Sequence, residues 1–181
     1  MIVLMGKTAS GKNLIRDKLV NNYGYKSIVT YTTRPMRPGE IQDVTYHFIS
    51  DEDFYDKINS NFFAEWKVYQ TINGEWYYGS AKQDYVKEGV IILTPSGVKD
   101  IINSGIDTTI VLINSSENTI RKRLICRGDD VAEANRRIEA DLQDFSSAEM
   151  LADIIVNNDY NTNIDEIVEN IHKEYIKEVV V

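Results

Sequence analysis

Cysteine and proline are scarce in this chain of 181 residues, which has one cysteine and three prolines. Because Cys126 is the only cysteine, an intramolecular disulfide and a cluster of thiolate metal ligands are excluded. A lone thiol in a predicted helix favours packing over chemistry, and we assign it no role. No apolar run approaches the roughly 20 residues that span a bilayer, and no charged-then-apolar leader precedes the first apolar segment. We therefore expect a cytoplasmic protein without a membrane partner.

Basic residues are the minority among the charged ones, since 20 face 28 acidic residues and the net charge is −8. This balance works against a nucleic-acid partner. Basic residues cluster in two segments, one with Arg34 and Arg37 and one with Arg121, Lys122, Arg123, Arg127, Arg136 and Arg137. Confined arginines in an acidic chain suit a small anionic ligand. With 43% hydrophobic and 27% charged residues, the composition predicts one ordered domain with small lobes.

A phosphate-binding loop is predicted directly after the apolar run Ile2–Met5. The pattern G-x-x-x-x-G-K-[S/T] is matched except at its last position by Gly6, Lys7, Thr8, Ala9, Ser10, Gly11, Lys12 and Asn13. Its backbone N–H groups and its lysine would bind the phosphates of ATP. Asn13 replaces the hydroxyl that binds Mg²⁺; its amide oxygen is also a hard ligand, but it lies on a longer side chain and would sit differently. The alternative is an ordinary turn with a solvated lysine.

Apolar runs alternate with stretches of helical spacing along most of the chain. The runs are predicted as strands at Ile2–Met5, Ser27–Thr30, Val90–Thr94, Thr109–Ile113 and Ile154–Val156. Helices are predicted over Lys12–Asn21, Gly97–Asn103, Glu117–Cys126, Ala132–Met150 and Ile164–Lys177. The alternation predicts a parallel sheet covered by helices, an α/β fold.

Residues 31–80 have a different pattern, which predicts a small β-rich lobe. Short antiparallel strands are expected at Tyr46–Ile49, Phe62–Gln70 and Glu75–Gly79, with a hairpin turn at Asn73-Gly74. Ser50 is predicted to cap a short helix with Asp53 as its partner. A second insertion, the arginine-rich helical segment, lies near residues 120–140.

The segment Thr30–Glu40 is a candidate site for a phosphate group. Pro35 and Pro38 stiffen it, so that Arg34 and Arg37 are expected to project from a rigid extended loop. A pair of arginine forks in such a loop can hold a monoester phosphate. Incidental surface salt bridges are the alternative.

Four motifs occur in one order along the chain: Thr32–Glu40 as T-T-R-x-x-R-P-G-E, Tyr46-His47-Phe48, Phe63-Ala64-Glu65-Trp66, and Tyr77-Tyr78-Gly79-Ser80. In these motifs the sequence resembles the guanylate kinase family. The resemblance implies one guanylate-kinase-like domain over residues 1–181, with a three-layer sandwich of the P-loop NTPase type around a parallel sheet. Its core would comprise residues 1–30, 81–119 and 141–181, its nucleoside-monophosphate lobe about 31–80 and its helical lid about 120–140. The implied reaction is phosphoryl transfer from ATP to GMP or dGMP with Mg²⁺.

The resemblance also implies which residues bind the acceptor. The phosphate of GMP would contact Arg34, Arg37, Tyr46 and Tyr78, and the guanine would contact Thr30, Glu65 and Ser80. The chemistry of Glu65 supports this independently, because a carboxylate can accept from guanine N1–H and the 2-amino group, whereas adenine N1 would repel it. An ordinary charged residue on a strand is the alternative for Glu65, and a core aromatic is the preferred interpretation of Tyr77.

The lid and the donor site follow from two further motifs. Arg123–Gly128 resembles the family's R-L-x-x-R-G, whose arginines close over the ATP phosphates. Arg123 and Arg127 share a helical face, and a third arginine would be Arg137, with Arg136 as a close competitor. Asn157 would lie near the adenine of ATP, although Asn is also common in turns. Catalysis would come from aligning the reactants and neutralising charge, through Lys12, Arg34, Arg37, Arg123, Arg127 and Arg137.

The sequence departs from the family at Ile92 and Thr94, where two aspartates are expected. In the family these acids serve the ribose or guanine side and the hydration shell of Mg²⁺. Together with Asn13, they mark the magnesium side as unusual. Three functions stay open: a guanylate kinase, a related kinase with another acceptor such as a different nucleotide or a phosphorylated sugar, and a non-catalytic binding module. The retained loop and lid arginines count against the module. A monomer or a homodimer is expected.

Overall fold

The computed structural model describes residues 1–71 and 74–180, which form two sheets and six helices. The strands are β1 (Ile2–Met5), β2 (Lys26–Ser27), β3 (Tyr31–Thr32), β4 (His47–Phe48), β5 (Phe63–Thr71), β6 (Gly74–Ala81), β7 (Gly89–Ile92), β8 (Thr109–Asn114) and β9 (Ile154–Asn157). The helices are α1 (Lys12–Tyr23), α2 (Asp51–Asn59), α3 (Pro95–Asn103), α4 (Glu117–Arg127), α5 (Val131–Asp144) and α6 (Ile164–Val180).

The larger sheet has five parallel strands in the order β2-β7-β1-β8-β9. Side chains of β1 alternate between its two faces, and all four are fully buried. Ile2 and Leu4 pack with residues of α1 and α6, whereas Val3 and Met5 pack with residues of α3. Helices therefore cover both faces, which confirms the predicted three-layer α/β fold. Because all strands run the same way, the segments that follow them meet at one edge of the sheet.

The smaller sheet has the order β4-β3-β6-β5 and carries the predicted β-rich lobe. β5 and β6 pair in antiparallel orientation, as predicted. The expectation of an antiparallel strand near residue 47 was wrong, because β4 pairs in parallel with β3. Asn73 of the predicted hairpin turn lies outside the described residues. Ser50 caps α2 as predicted, since its Oγ accepts from the backbone N–H of Asp53 at 3.0 Å. Tyr77 packs with Phe54 and Phe63, which confirms it as a core aromatic.

The arginine-rich segment forms the helix pair α4 and α5, whose apolar residues Ile120, Leu124, Ala134 and Ile138 pack together. The predicted helix over Ala132–Met150 was too long, because α5 ends at Asp144 and a separate 3₁₀ turn follows at Ala148–Leu151. Cys126 is exposed on α4, so packing does not explain it. Among the described residues, no helix is long and apolar enough to cross a bilayer.

Candidate active site

The predicted phosphate-binding loop follows β1 and ends at the start of α1. Gly6 lies so close to β8 that an added Cβ would be 2.5 Å from the carbonyl oxygen of Ile113. Gly11 has φ of +99°, and its Cβ would be 2.3 Å from Nδ2 of Asn158. Ala9 also has a positive φ of 52°. A residue other than glycine is strained there, and such strain is concentrated at functional sites.

The first turn of α1 has features of an anion site. No side chain caps its N-terminus at Gly11, and its first turn contains no acidic residue. Positive charge at this helix end is therefore open to a phosphate. The Lys12 ammonium donates to the carbonyl oxygens of Gly6 and Lys7, at 2.7 Å each. Burial lowers the pKa of Lys12 to about 8, although the charge of Asp141 acts in the opposite direction.

Two side chains from distant parts of the sequence bind the loop backbone. Asn158, which follows β9, donates from Nδ2 to the carbonyl oxygen of Ser10 at 2.8 Å. Asp141, in α5, accepts from the backbone N–H of Thr8 at 2.5 Å. Neither residue was predicted. Both bonds fix the loop in this structure, and the second brings a negative charge to a place where phosphate is expected.

The lid arginines lie beside the loop in different contacts. Arg123 donates from Nη1 to the carbonyl oxygen of Ala9 at 3.1 Å. Arg127 forms an ion pair with Asp129, and Arg137 lies 3.8 Å from the same carboxylate. A cavity of about 290 Å³ is lined by Lys12, Asn13, Arg123 and Arg127, among others. The structure therefore brings Arg123 and Arg127 to the loop.

A second cavity of about 290 Å³ lies between the two sheets. Its walls include four predicted acceptor residues and both positions of departure from the family: Thr30, Tyr46, Glu65, Tyr78, Ile92 and Thr94. The structure thus brings these predicted acceptor groups together. Ser80 contacts Glu65, and Arg34 contacts Tyr46 and Tyr78, whereas Arg37 is exposed.

Glu65 is a buried carboxylate with a fixed orientation. Only 8% of the surface of Glu65 is exposed to solvent. Ser80 lies opposite it in β6 and donates from Oγ to Oε1 at 2.7 Å. Burial raises the pKa of Glu65, whereas the Ser80 hydrogen bond and the charge of Lys67 lower it and Asp100 raises it. Lys67 shares the β5 face with Glu65 and lines the cavity, where it forms a 2.6 Å ion pair with Asp100.

Arg34 differs from its prediction, because it does not project from the loop but is 4% exposed. Its guanidinium binds both carboxylate oxygens of Glu40, at 2.7 and 2.9 Å. Nε also donates to the Tyr78 hydroxyl at 3.1 Å, and the Tyr46 ring centroid lies 5.3 Å from Cζ. The glutamate explains how a buried guanidinium keeps its charge. Arg37 is exposed, as expected.

A model of the family described as guanylate kinase matches residues 1–175. The chain belongs to the guanylate kinase family. It is 31% identical to a guanylate kinase of Onion yellows phytoplasma, over 98% of this chain and 87% of the relative. It is 30% identical to a guanylate kinase of Blochmanniella floridana, over 88% of this chain and 79% of the relative.

Solved structures agree with this fold. A guanylate kinase from Anaplasma phagocytophilum has a TM-score of 0.71 at 18% identity, with 98% of this chain and 85% of that chain covered. The YorR protein of Bacillus subtilis, solved in complex with phosphorylated GDP, has a TM-score of 0.56 at 16% identity, with 100% and 99% covered. At these identities the likeness shows the fold alone.

Both departures from the guanylate kinase pattern have a structural role of their own. Thr94 caps α3, because its Oγ1 accepts from the backbone N–H of Gly97 at 3.3 Å. Ile92 lines the acceptor cavity and also a neighbouring cavity of about 460 Å³ that contains Asn13. The apolar Ile92 therefore lies between the cavity lined by Glu65 and the start of α1.

The residues present fit a magnesium ion held mainly by nucleotide. No group of three or more His, Cys, Asp or Glu side chains within 1–71 and 74–180 is arranged to hold a metal. Mg²⁺ commonly needs only one or two protein oxygens beside phosphates and waters. The Asn13 amide oxygen, at the start of α1 beside Lys12, has the chemistry for this.

Asn157 and the two candidates for the third arginine, Arg136 and Arg137, lie at the periphery of the site. Asn157 is exposed at the end of β9, and Asn114 donates to its Oδ1 at 3.4 Å. Its neighbour Asn158 contacts the loop instead. Arg136 is exposed, whereas Arg137 is half-buried and lies 3.8 Å from Asp129, the partner of Arg127.

Four residues of the site were not singled out from the sequence: Glu40, Lys67, Asp141 and Asn158. Two had a usable signal, since Glu40 closes the T-T-R-x-x-R-P-G-E motif and Lys67 is two residues from Glu65 on a predicted strand. Asn158 stands inside the motif used for Asn157. For Asp141, the signal in the sequence was its position four residues after Arg137, which puts both residues on the same side of a predicted helix.

Proposed function

We propose that this protein transfers the γ-phosphoryl group of ATP to GMP or dGMP, giving ADP and GDP or dGDP. The chain is a nucleoside monophosphate kinase by its family. The observation that carries the choice of acceptor is the buried Glu65 carboxylate, held by Ser80 in a cavity at the same sheet edge as the phosphate-binding loop.

Glu65 would select guanine by hydrogen-bond pattern. An ionised carboxylate accepts from N1–H and the 2-amino group together, and adenine offers a lone pair at N1 instead. Ser80 donates to one carboxylate oxygen, which orients the group before the base enters. Burial raises the pKa of Glu65 overall, and the Ser80 hydrogen bond and the charge of Lys67 oppose this effect, so both favour the ionised form that the base needs.

The phosphate of the acceptor would bind where Arg34, Tyr46 and Tyr78 converge, with exposed Arg37 closing on it. Glu40 already binds Arg34 through two hydrogen bonds, so the guanidinium plane is fixed before the nucleotide arrives. A fixed, desolvated donor costs little reorganisation during the reaction.

The phosphates of ATP would bind the backbone N–H groups of the loop and Lys12, and its adenine would lie near Asn157. Arg123 and Arg127 would contact the phosphates from the lid. Mg²⁺ would enter with ATP, with Asn13 as the chain's own oxygen ligand, and would neutralise charge on the phosphate groups. Lid closure would exclude water and limit hydrolysis of ATP.

In the reaction, an oxygen of the GMP phosphate attacks the γ-phosphorus of ATP. A new P–O bond forms, the bond to the β–γ bridging oxygen breaks, and ADP leaves with that electron pair. The protein supplies little covalent chemistry for this step. Its part is to align both nucleotides and to stabilise charge with Lys12 and the arginines.

A different acceptor is the second candidate function. The observation that favours it is the wall formed by Ile92 and Thr94, which offers no carboxylate to a ribose or base at that side of the cavity. A non-catalytic binding module is the third, and the retained Lys12 and lid arginines count against it. The cytoplasmic location and the oligomeric state stay predictions.

An acceptor panel separates these candidates. The purified protein is mixed with ATP, Mg²⁺ and one of GMP, dGMP, AMP, UMP, CMP or a phosphosugar, and ADP formation is followed, with Lys12→Ala as control. Turnover confined to GMP and dGMP is expected. Turnover with another acceptor supports the second function, and nucleotide binding without turnover supports the third.

A further inference from the structure

A side chain of the protein itself is hydrogen-bonded to the backbone of the phosphate-binding loop. The Oδ2 atom of Asp141 accepts from the backbone N–H of Thr8 at 2.5 Å. Thr8 lies in the middle of the loop, whose inward N–H groups are the groups that bind phosphate oxygens in such loops. A carboxylate oxygen therefore makes the kind of contact that a phosphate oxygen would make.

The charges around Asp141 also match those of a bound anion. Burial raises the pKa of this carboxyl overall, and Asp144 adds to that effect, whereas the Thr8 N–H and the charges of Lys12 and Lys7 of the loop act in the opposite direction. In the reverse direction, the charge of Asp141 raises the pKa of Lys12. The charge of Asp141 thus acts on the same lysine that would bridge phosphates, whose ammonium donates to the carbonyl oxygens of Gly6 and Lys7.

We propose that the Asp141 carboxylate occupies part of the phosphate site in the protein without nucleotide. ATP must displace this carboxylate to bind, and the affinity for ATP is lowered as a result. This rests on the proposed function in one respect, the binding of ATP phosphates at the loop. A carboxylate and a phosphate cannot accept the same N–H hydrogen, and their like charges repel. Asp141 has to leave the Thr8 N–H before ATP binds. The apparent dissociation constant for ATP is therefore the intrinsic constant divided by the fraction of molecules in which Asp141 has left.

The position of Asp141 couples this exchange to the lid. Ile138 of α5 packs with α4, and Ala9 of the loop packs against the same cluster. Arg137 precedes Asp141 by four residues, so both lie on one side of α5. A change that moves Asp141 away from Thr8 therefore also changes where Arg137 lies relative to the loop.

The test is the dissociation constant for ATP, measured by calorimetry without GMP at fixed Mg²⁺ and ionic strength. Asp141→Asn keeps the shape but removes the charge, and we expect its dissociation constant to fall about tenfold. Glu139→Gln is the matched control, because Glu139 is an exposed acid on the same helix and the change in charge is the same. We expect its constant to stay within about twofold of wild type.

Unchanged or weaker ATP binding by Asp141→Asn would overturn the proposal; weaker binding would mean that the carboxylate assists the nucleotide. If Glu139→Gln tightens ATP binding equally, general charge and not displacement is the cause, which also overturns it. A wild-type protein that binds no ATP contradicts the proposed function itself. Hydrogen exchange of wild-type α5 with and without ATP gives a second measurement that needs no variant, and unchanged protection of residues 137–144 would count against displacement.

Discussion

The two halves of the proposed site differ in how their side chains are held. On the donor side, where ATP would bind, the loop groups that would contact phosphate are bonded to other groups of the protein. On the acceptor side, where GMP would bind, each recognition group is held by a neighbouring side chain. Lys12 donates to carbonyl oxygens of its own loop, and Thr8 donates to Asp141. By contrast, Glu65 is held by Ser80, and Arg34 by Glu40.

This difference indicates how each half of the site responds to its nucleotide. The acceptor side is preorganised, since the bonds that orient Glu65 and Arg34 can persist when GMP binds. The donor side has to exchange internal contacts for contacts with phosphate. Substitutions on the acceptor side should therefore change recognition of GMP, and those on the donor side should change ATP affinity, rate and proton uptake.

The largest effect is expected for Lys12→Ala on the donor side. Loss of the Lys12 ammonium, which is proposed to contact the ATP phosphates, should lower kcat by about 100-fold or more, because charge developing in the transition state loses a preorganised donor. Initial rates of ADP formation at saturating GMP measure this. If the variant kept more than a tenth of the wild-type kcat, Lys12 would not be a catalytic residue.

Glu40→Gln tests the acceptor side through the residue behind it. Removing the carboxylate leaves the buried Arg34 charge with weaker partners, so the free energy of unfolding should fall by about 1–3 kcal/mol. The Michaelis constant for GMP should rise while that for ATP stays constant. Urea unfolding and steady-state kinetics give both numbers, and an unchanged GMP constant would mean that Arg34 does not need Glu40 to bind phosphate.

The same pair predicts a pH dependence of stability. Arg34 lowers the pKa of Glu40 to about 2, from a usual value of 4.5. Because the folded pKa lies below the unfolded one, the stabilisation is present above pH 4.5 and is lost as the pH falls towards about 2. Glu40→Gln should flatten this part of the stability profile, and an acid limb identical to that of wild type would assign the loss to other carboxyls.

Proton uptake is a smaller effect that belongs to the donor side. Since the pKa of Lys12 is about 8, half of the unliganded molecules carry a neutral Lys12 at that pH. ATP phosphates favour the ammonium, so binding near pH 8 should take up about half a proton, as calorimetry in buffers of different ionisation enthalpy measures. Lys12→Arg stays charged and should take up none; equal uptake by both proteins would point to another group.

The smallest effect is expected for Asn13→Ser. A hydroxyl at this position should lower the Mg²⁺ concentration for half-maximal rate by about twofold to fivefold, because it places a hard oxygen on a shorter side chain. Titration of the rate with Mg²⁺ at fixed ATP measures this. An unchanged titration would show that the amide serves the metal as well as a hydroxyl.

The sequence predicted the parts of the molecule that depend on neighbouring residues. The buried strands β1 and β8, the phosphate-binding loop and the Ser50 cap each follow from spacing within a few positions, so local chemistry decides them. The strand predicted at Ser27–Thr30 was misplaced, because β2 covers only the exposed residues Lys26–Ser27. The family resemblance implied that Glu65, Tyr46 and Tyr78 contact the same nucleotide, and all three line one cavity.

Contacts across the fold were harder to predict. Asp141 is 133 residues from Thr8, and no spacing rule joins a lid helix to a loop at the other end of the chain. The burial of Arg34 was missed for a related reason, since Pro35 and Pro38 indicate a stiff segment but not which side chains face inward. Thr94 looked like a loss until the structure placed it as the cap of α3.

The ratio of kcat/KM for GMP to that for AMP, in wild type and Glu65→Gln, decides whether the acceptor side is a preorganised guanine site. The wild-type protein should prefer GMP by about a thousandfold or more, because a site built to accept hydrogen bonds rejects a base that cannot donate them. Glu65→Gln should lose about 10- to 100-fold in kcat/KM for GMP, with the KM for ATP unchanged within about twofold. An unchanged ratio, or equal losses towards GMP and ATP, would contradict the guanine role of Glu65.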